Sequence, residues 1–249
     1  MEFLLALRKG AYALESEGSL NRVEKAFCVY CGLPANTRDH VPPKCLLEKP
    51  YPANLRWVPS CEKCNTGFSL DEQYFLILLG QIGLTNALLQ KTEMGGVIDR
   101  TLERAPKLDE RLIASLETDE DGRILVRPEI ARVNRVIQKV GLGCFILRYG
   151  RIPRLEKLVP VAAYPYAMRE ERPAPLFVAT FTERFRSKRW NHVQRGVFSY
   201  IIVRDPMTSR RLWCVMDFYE TLWGVVHFPN PKSVQARQDR QLWLLWKRD

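Results

Sequence analysis

Four of the seven cysteines form two CxxC pairs, Cys28 with Cys31 and Cys61 with Cys64. Each pair can place two thiolates on one side of a tight turn, and two such turns facing each other make a closed tetrahedral zinc site. Because cysteine would fill all four positions, the ion would have no place for substrate or water and would be structural. We therefore predict one structural Zn²⁺ on these thiolates. The alternatives are two incidental motifs or a single redox CxxC.

The stretch between the two pairs is longer than a bare zinc ribbon needs, and it contains polar residues suited to catalysis. Asp39 precedes His40, which is one of only three histidines in the chain. Asn54 follows in the same stretch, and Asn65 comes directly after the last cysteine. Hydrolysis of a phosphodiester needs a base for the attacking water and a cation at the leaving oxygen. Adjacent strand residues face opposite ways, so Asp39 and His40 can serve one phosphate only where the strand bends or ends.

Five features resemble, in order and spacing, the HNH endonuclease motif in its zinc-stabilised ββα-metal form. They are the first CxxC pair, the Asp-His dipeptide, the central Asn54, the second CxxC pair and Asn65. The last motif position is Asn65 rather than His, which is a variant that the family also uses. The resemblance covers residues 27–72 and implies nothing about the rest of the chain.

The resemblance implies a role for each motif residue. His40 would be the general base, a task that suits a side chain with a near-neutral pKa. Asp39 and Asn65 would hold one Mg²⁺ or Mn²⁺, which would stabilise charge on the scissile phosphate and the departing 3′ oxygen. Asn54 would hold the loop and orient His40. The expected activity is metal-dependent endonucleolytic cleavage of DNA, leaving a 5′ phosphate and a 3′ hydroxyl, in phage defence or a mobile element.

Two further interpretations stay open at this point. The chain could be a catalytically inactive zinc-binding module that binds nucleic acid or another protein. It could instead be a structural subunit whose basic face serves assembly. Retention of the four polar motif residues together favours the nuclease. Plasmid nicking and double-strand cleavage are not distinguished, and one HNH site cuts one strand.

Charge and hydropathy narrow the class of partner. The formal net charge is +10 and the sequence pI is about 9.4, which favours a polyanion, with DNA preferred to RNA. The longest apolar stretch, residues 74–89, is interrupted by polar residues and is shorter than the roughly 20 residues that span a bilayer, so no membrane association is expected. The odd cysteine count and the metal-type spacing predict a cytoplasmic protein.

The pattern of apolar residues predicts helices over residues 1–25, from Ser69 to about Leu89, and from Pro128 onward. Recurrent short β-branched and aromatic segments predict an antiparallel meander. Its strands would be residues 158–164, 176–182, 197–204, 212–217 and 222–228.

The sequence therefore predicts an α+β protein in two parts. Residues 1–124 would be a zinc-stapled ββα-metal HNH module with flanking helices, its core at 27–72. Residues 125–249 would be an α+β domain with an antiparallel sheet, serving substrate choice, regulation, or binding of a partner protein or a second copy.

Overall fold

The computed structural model describes residues 26–84, 98, 103, 106–114, 116–118, 120, 124–150, 159–165, 185, 188–205, 211–220 and 222–229. The predicted helix over 1–25, the predicted strand over 176–182 and the basic tail over 232–249 lie outside these ranges. Within them the chain is an α+β protein with antiparallel sheets, as predicted. No helix of the described residues is both long enough and apolar enough to cross a bilayer.

The first sheet is a two-stranded antiparallel pair that is followed at once by helices. Strand β1 (Thr37–His40) pairs with β2 (Trp57–Ser60), and a short 3-10 helix (Lys44–Leu46) lies in the loop between them. Helix α1 (Glu62–Gly67) begins directly after β2, and α2 (Ser69–Leu84) follows. Helix α2 starts at Ser69 as predicted; residues 85–90, where its predicted end falls, are outside the described ranges.

Helix α2 is enclosed by protein along its centre. Residues 74–79 are six consecutive side chains that are each at most 1% exposed, so no face of this segment meets water. A helix that is apolar all round belongs in the interior of a protein. This explains why its sequence lacks the alternation of apolar and polar faces that a surface helix shows.

The described residues in the middle of the chain include helical segments and a small hairpin. Helix α3 (Pro106–Ile113) precedes strands β3 (Leu116–Thr118) and β4 (Ile124–Val126), which pair antiparallel. Helix α4 (Ile130–Tyr149) begins two residues after Pro128, the predicted start. It ends at Gly150, whose φ of 62° is the left-handed conformation that glycine adopts without steric cost.

The second large element is a five-stranded antiparallel sheet in the spatial order β5-β9-β8-β7-β6. Four of these strands match predicted segments, and the sequence did not predict β6. The bounds are β5 Val159–Pro165, β6 Asn191–Gln194, β7 Phe198–Arg204, β8 Arg211–Phe218 and β9 Leu222–Pro229.

Strands β1 and β2 and helix α1, together with the turn at Cys28–Cys31, are called the zinc-type unit below. Helix α4 lies between the five-stranded sheet and this unit, and small residues of α4 allow both contacts. A Cβ added at Gly141 would come within 2.7 Å of Val226 in β9. A Cβ added at Gly143 would come within 2.5 Å of Val41, directly after β1. One hydrophobic cluster runs from Val29 to Phe228 and therefore crosses the domain boundary predicted after residue 124.

Candidate functional site

The four cysteines of the two CxxC pairs come together as predicted. Their sulfur atoms all lie within 4.8 Å of one another, and Cys31 Sγ is 3.6 Å from Cys61 Sγ. Zn–S bonds of about 2.3 Å at tetrahedral angles would separate sulfurs by about 3.8 Å. A disulfide would instead need about 2.05 Å. The donor set and its spacing therefore fit a structural zinc ion, which Cys28, Cys31, Cys61 and Cys64 could hold.

Local backbone geometry accounts for the convergence of the two pairs. The first pair sits on a turn that closes with a hydrogen bond from Gly32 N–H to the Cys28 carbonyl oxygen, 2.9 Å. Gly32 has a φ of 77°, which a residue with a side chain rarely adopts. In the second pair, Cys61 precedes helix α1, and its Sγ accepts a hydrogen bond from Cys64 N–H at 3.4 Å. Both turns aim their thiols at one point.

The β1–β2 hairpin has an inner and an outer face. Register pairs Asp39 with Val58, and His40 with Trp57. Directly opposed residues share a face, so Asp39 lies inside with Val58, which is 1% exposed. His40 lies on the outer, half-buried face with Trp57 and Arg38. β1 ends at His40, which is one of the conditions under which Asp39 and His40 could approach one phosphate. The environments of the two side chains nevertheless differ sharply.

His40 is held in a partly buried, cationic environment. Burial, and then the positive charge of Lys44, lowers the pKa of His40 below its ordinary value of 6.5, while Asp39 opposes the shift. Arg38 contributes in the same sense as Lys44, and its guanidinium lies 4.8 Å from the centre of the Trp57 ring. A neutral imidazole at pH 7 can accept a proton, and the two cations beside it can attract a phosphate.

Asp39 takes part in a buried ionic network. Its Oδ1 is 2.9 Å from Lys139 Nζ of helix α4, and its Oδ2 accepts a hydrogen bond from the Tyr30 hydroxyl at 2.7 Å. The same ammonium group contacts Glu72 of helix α2. Burial raises the pKa of Glu72 although Lys139 opposes this. The network joins the hairpin, α2 and α4 through one cation.

Asn65 and Asn54 occupy different places from Asp39. The Asn65 side-chain amide donates to Thr37 Oγ1 at 3.3 Å and to the Arg38 carbonyl oxygen at 3.5 Å. Thr37 precedes Asp39 by two residues on the same strand, a distance of about 7 Å. Asn54 is exposed in the loop between the strands, and within the described residues its side chain makes no hydrogen bond to His40.

These contacts test whether Asp39 and Asn65 fit one divalent ion. Mg²⁺ needs oxygen ligands that converge at about 2.0–2.1 Å. Both Asp39 oxygens already contact protein donors, one of them a full positive charge. The Asn65 side-chain amide donates to Thr37 Oγ1 and to the Arg38 carbonyl oxygen, not to Asp39. The two side chains as arranged do not fit a shared Mg²⁺ or Mn²⁺ ion.

Lys139 is not among the site residues that the sequence predicts, although the sequence does contain a signal for it. Helix α4 presents an apolar stripe at helical spacing, and Lys139 interrupts that stripe between Val136 and Val140. A cation on an apolar helix face needs a buried anionic partner. Asp39, Asp71 and Glu72 are the buried carboxylates of this region, at most 9% exposed. The pairing itself could not be inferred without the packing of α4.

We compared the chain with known proteins. No protein-family model, no curated protein and no solved structure matches it. The inference of function therefore rests on the residues and their arrangement.

Proposed function

We propose that this protein is an HNH-type endonuclease that hydrolyses phosphodiester bonds in DNA, with His40 as the general base. The single observation that carries the proposal is the position of His40. It lies at the end of β1 in a β1–β2–α1 unit whose two CxxC turns bring four thiols together. The same strand–strand–helix order and the same donor set are what the motif resemblance predicts.

The electrostatics around His40 support a polyanionic substrate. Lys44 is exposed, and its ammonium lies 5.6 Å from the centre of the Tyr51 ring. Arg38, whose charge also acts on His40, lies against the Trp57 ring. Cations beside aromatic rings that are at least partly accessible are a common means of binding a nucleic-acid strand, with contacts to phosphate and base together. The net charge of +10 favours the same partner.

In the proposed reaction, the neutral His40 imidazole takes a proton from a water molecule as its oxygen attacks phosphorus. The bond from phosphorus to the 3′ oxygen breaks, and that oxygen takes a proton from solvent. Arg38 and Lys44 would hold the phosphate and offset its charge. No step is routed through a divalent ion on Asp39 and Asn65, because their contacts do not fit one. Asn54 is assigned no step.

The experiment is plasmid cleavage by the purified protein, with and without Mg²⁺ or Mn²⁺. We expect the wild type to nick supercoiled DNA, and His40→Ala to reduce the rate by about 10²-fold or more, the contribution typical of a general base. Glu62→Gln, an exposed substitution on α1, serves as the matched control and should leave the rate unchanged.

Each outcome bears on a different part of the proposal. Equal rates for the wild type and His40→Ala, with a folded variant, would remove His40 as the base. DNA binding by wild type without cleavage under any metal would favour the alternative, a catalytically inactive zinc-binding nucleic-acid module. Cytoplasmic location and a function in phage defence or a mobile element belong to the same proposal and rest on the cysteine pattern and the resemblance alone.

A further inference from the structure

The five-stranded sheet has an apolar face that ends in a row of polar residues. This is the face of the sheet that points away from α4. It carries Ile201, Trp213, Val215 and Val225, which form a buried cluster with Phe185. Towards one end of the strands the composition changes. His192 is paired with Ser199, Ser199 with Asp217 and Asp217 with Trp223. Three polar side chains thus occupy one row across β6, β7 and β8, where core packing would favour apolar residues.

The row lies in an open cavity of about 360 Å³. His192 Nδ1 is 2.7 Å from Ser199 Oγ, so these two side chains are joined by a hydrogen bond. Arg195 and Glu220 also line the cavity. This volume is at the lower end of those that bind small molecules or single side chains.

Two tryptophans form walls of the same cavity. The rings of Trp190 and Trp223 have centroids 6.1 Å apart at an interplanar angle of 43°, so they meet as a corner. The Trp190 indole N–H donates to the Phe185 carbonyl oxygen at 3.1 Å, which fixes the orientation of that ring. Trp190 is half-buried and Trp223 is 7% exposed, so the indole face available to a ligand is chiefly that of Trp190.

The chemistry of the lining identifies a ligand class. Indole faces attract cations, and carboxylates bind guanidinium groups through charge-assisted hydrogen bonds. The lining holds two carboxylates, Asp217 and Glu220, against the single cation of Arg195. A planar cation with several N–H donors can contact an indole face and the two carboxylates at once. We propose that this cavity binds an alkylguanidinium group, from a free small molecule or from an arginine side chain of a peptide. The proposal is independent of the proposed nuclease activity.

The test is isothermal titration calorimetry on the full chain with two probes. Agmatine represents a free alkylguanidinium compound, and the peptide acetyl-Gly-Arg-Gly-amide represents an arginine side chain. We expect saturable binding of at least one of them, and the tighter one identifies the source. The same peptide with citrulline, which has the shape of arginine without its charge, should not bind.

Variants connect the binding to the cavity. Asp217→Asn and Glu220→Gln should each weaken binding about tenfold, the effect of losing a charge-assisted hydrogen bond. Glu220 is exposed, so its substitution should leave the fold intact even if Asp217→Asn lowers the melting temperature. Glu110→Gln, an exposed substitution on α3, is the matched control. Three results would each overturn the proposal. They are the absence of saturable binding for both probes, equal binding of the citrulline and arginine peptides, and unchanged affinity in both Glu220→Gln and a folded Asp217→Asn.

Discussion

Lys139 carries a positive charge into the protein interior, where its side chain is 2% exposed. Removing an ammonium ion from water is unfavourable by several kcal/mol, and nearby carboxylates offset this only if they are close and well placed. Asp39 and Glu72 meet that requirement from two different elements. The aspartate of the predicted catalytic dipeptide therefore neutralises a buried cation, while its neighbour His40 faces outward.

Replacing Lys139 tests the importance of this network for stability. Lys139→Met should lower the free energy of unfolding by about 3–5 kcal/mol, because it leaves two buried carboxylates without their cation. Urea denaturation followed by circular dichroism measures the change. A loss below about 1 kcal/mol would mean that the buried ion pairs contribute little.

Two controls isolate the effect of burial. Arg127→Met breaks the exposed ion pair with Glu117, whose side chains are 78% and 47% exposed, and should change stability by less than about 1 kcal/mol. The triple variant Asp39→Asn, Glu72→Gln, Lys139→Met removes all three charges together. It should recover most of the stability lost in Lys139→Met, since no uncompensated charge is left inside.

At the scale of elements, the β1–β2 hairpin and helix α1 are short. The strands have four residues each and α1 has six. A two-stranded hairpin is marginal by itself in water, and so is an isolated helix of this length. A zinc ion on the four thiolates would supply the missing stability, because metal binding and folding are coupled in such small units.

Cys61→Ser is the variant that tests zinc at this scale. Serine can still precede and cap α1, so the substitution removes a thiolate and leaves the helix start intact. We expect the zinc content, measured by metal analysis of the purified protein, to fall from about one ion per chain to near zero. We also expect a lower melting temperature.

Cys45→Ala is the matched control for zinc content. Burial, and then Glu72, raises the pKa of Cys45 to about 12, so this thiol is protonated at neutral pH. Cys45 does not belong to the cluster of four cysteines, so the Cys45→Ala variant should keep the zinc content of the wild type. Full zinc content in Cys61→Ser would show that the ion binds elsewhere or that this cysteine is not a ligand.

At the scale of the whole molecule, helix α4 joins the zinc-type unit to the sheet. The loop after β1 is also tied to β6, where the Gln194 side chain exchanges two hydrogen bonds with the Glu48 backbone, both 3.0 Å. Ionic contacts add to the apolar packing: Arg132 and Arg135 of α4 bind Asp71 of α2 at 3.0 and 2.7 Å. A change at the α4 contacts should therefore affect both units together.

Gly143→Ala tests this coupling. The new Cβ would lie 2.5 Å from Val41, a short side chain that is 3% exposed and has little room to move. Such overpacking costs about 1–3 kcal/mol, more than alanine gains over glycine in a helix. We expect a single unfolding transition at lower urea. Two separate transitions would instead indicate that the units fold independently.

Gly67→Ala provides the comparison. A Cβ at Gly67 would meet no atom within 4 Å, and the residue lies in helix α1. Stability should stay the same or rise by up to about 1 kcal/mol, as expected for alanine at an open helical position.

Local sequence was sufficient for the four-cysteine cluster, for helices α2 and α4, and for part of the larger sheet. CxxC spacing determines which thiols can share an ion, and the run of β-branched and aromatic segments predicted four strands of the larger sheet. These features depend on contacts between residues close in sequence or on a fixed periodicity, so they can be read without a fold.

The partners of the charged side chains were decided only by the tertiary structure. Asp39 and Lys139 are 100 positions apart, and nothing near either residue specifies the other. The row of His192, Ser199 and Asp217 exists because three strands align in one register. Long-range packing of α4 and strand register bring these groups together. The sequence by itself thus determined which thiols can share an ion, and it placed His40 beside Asp39. The fold decided that Asp39 binds an internal cation and that His40 lies on the outer, half-buried face of the hairpin.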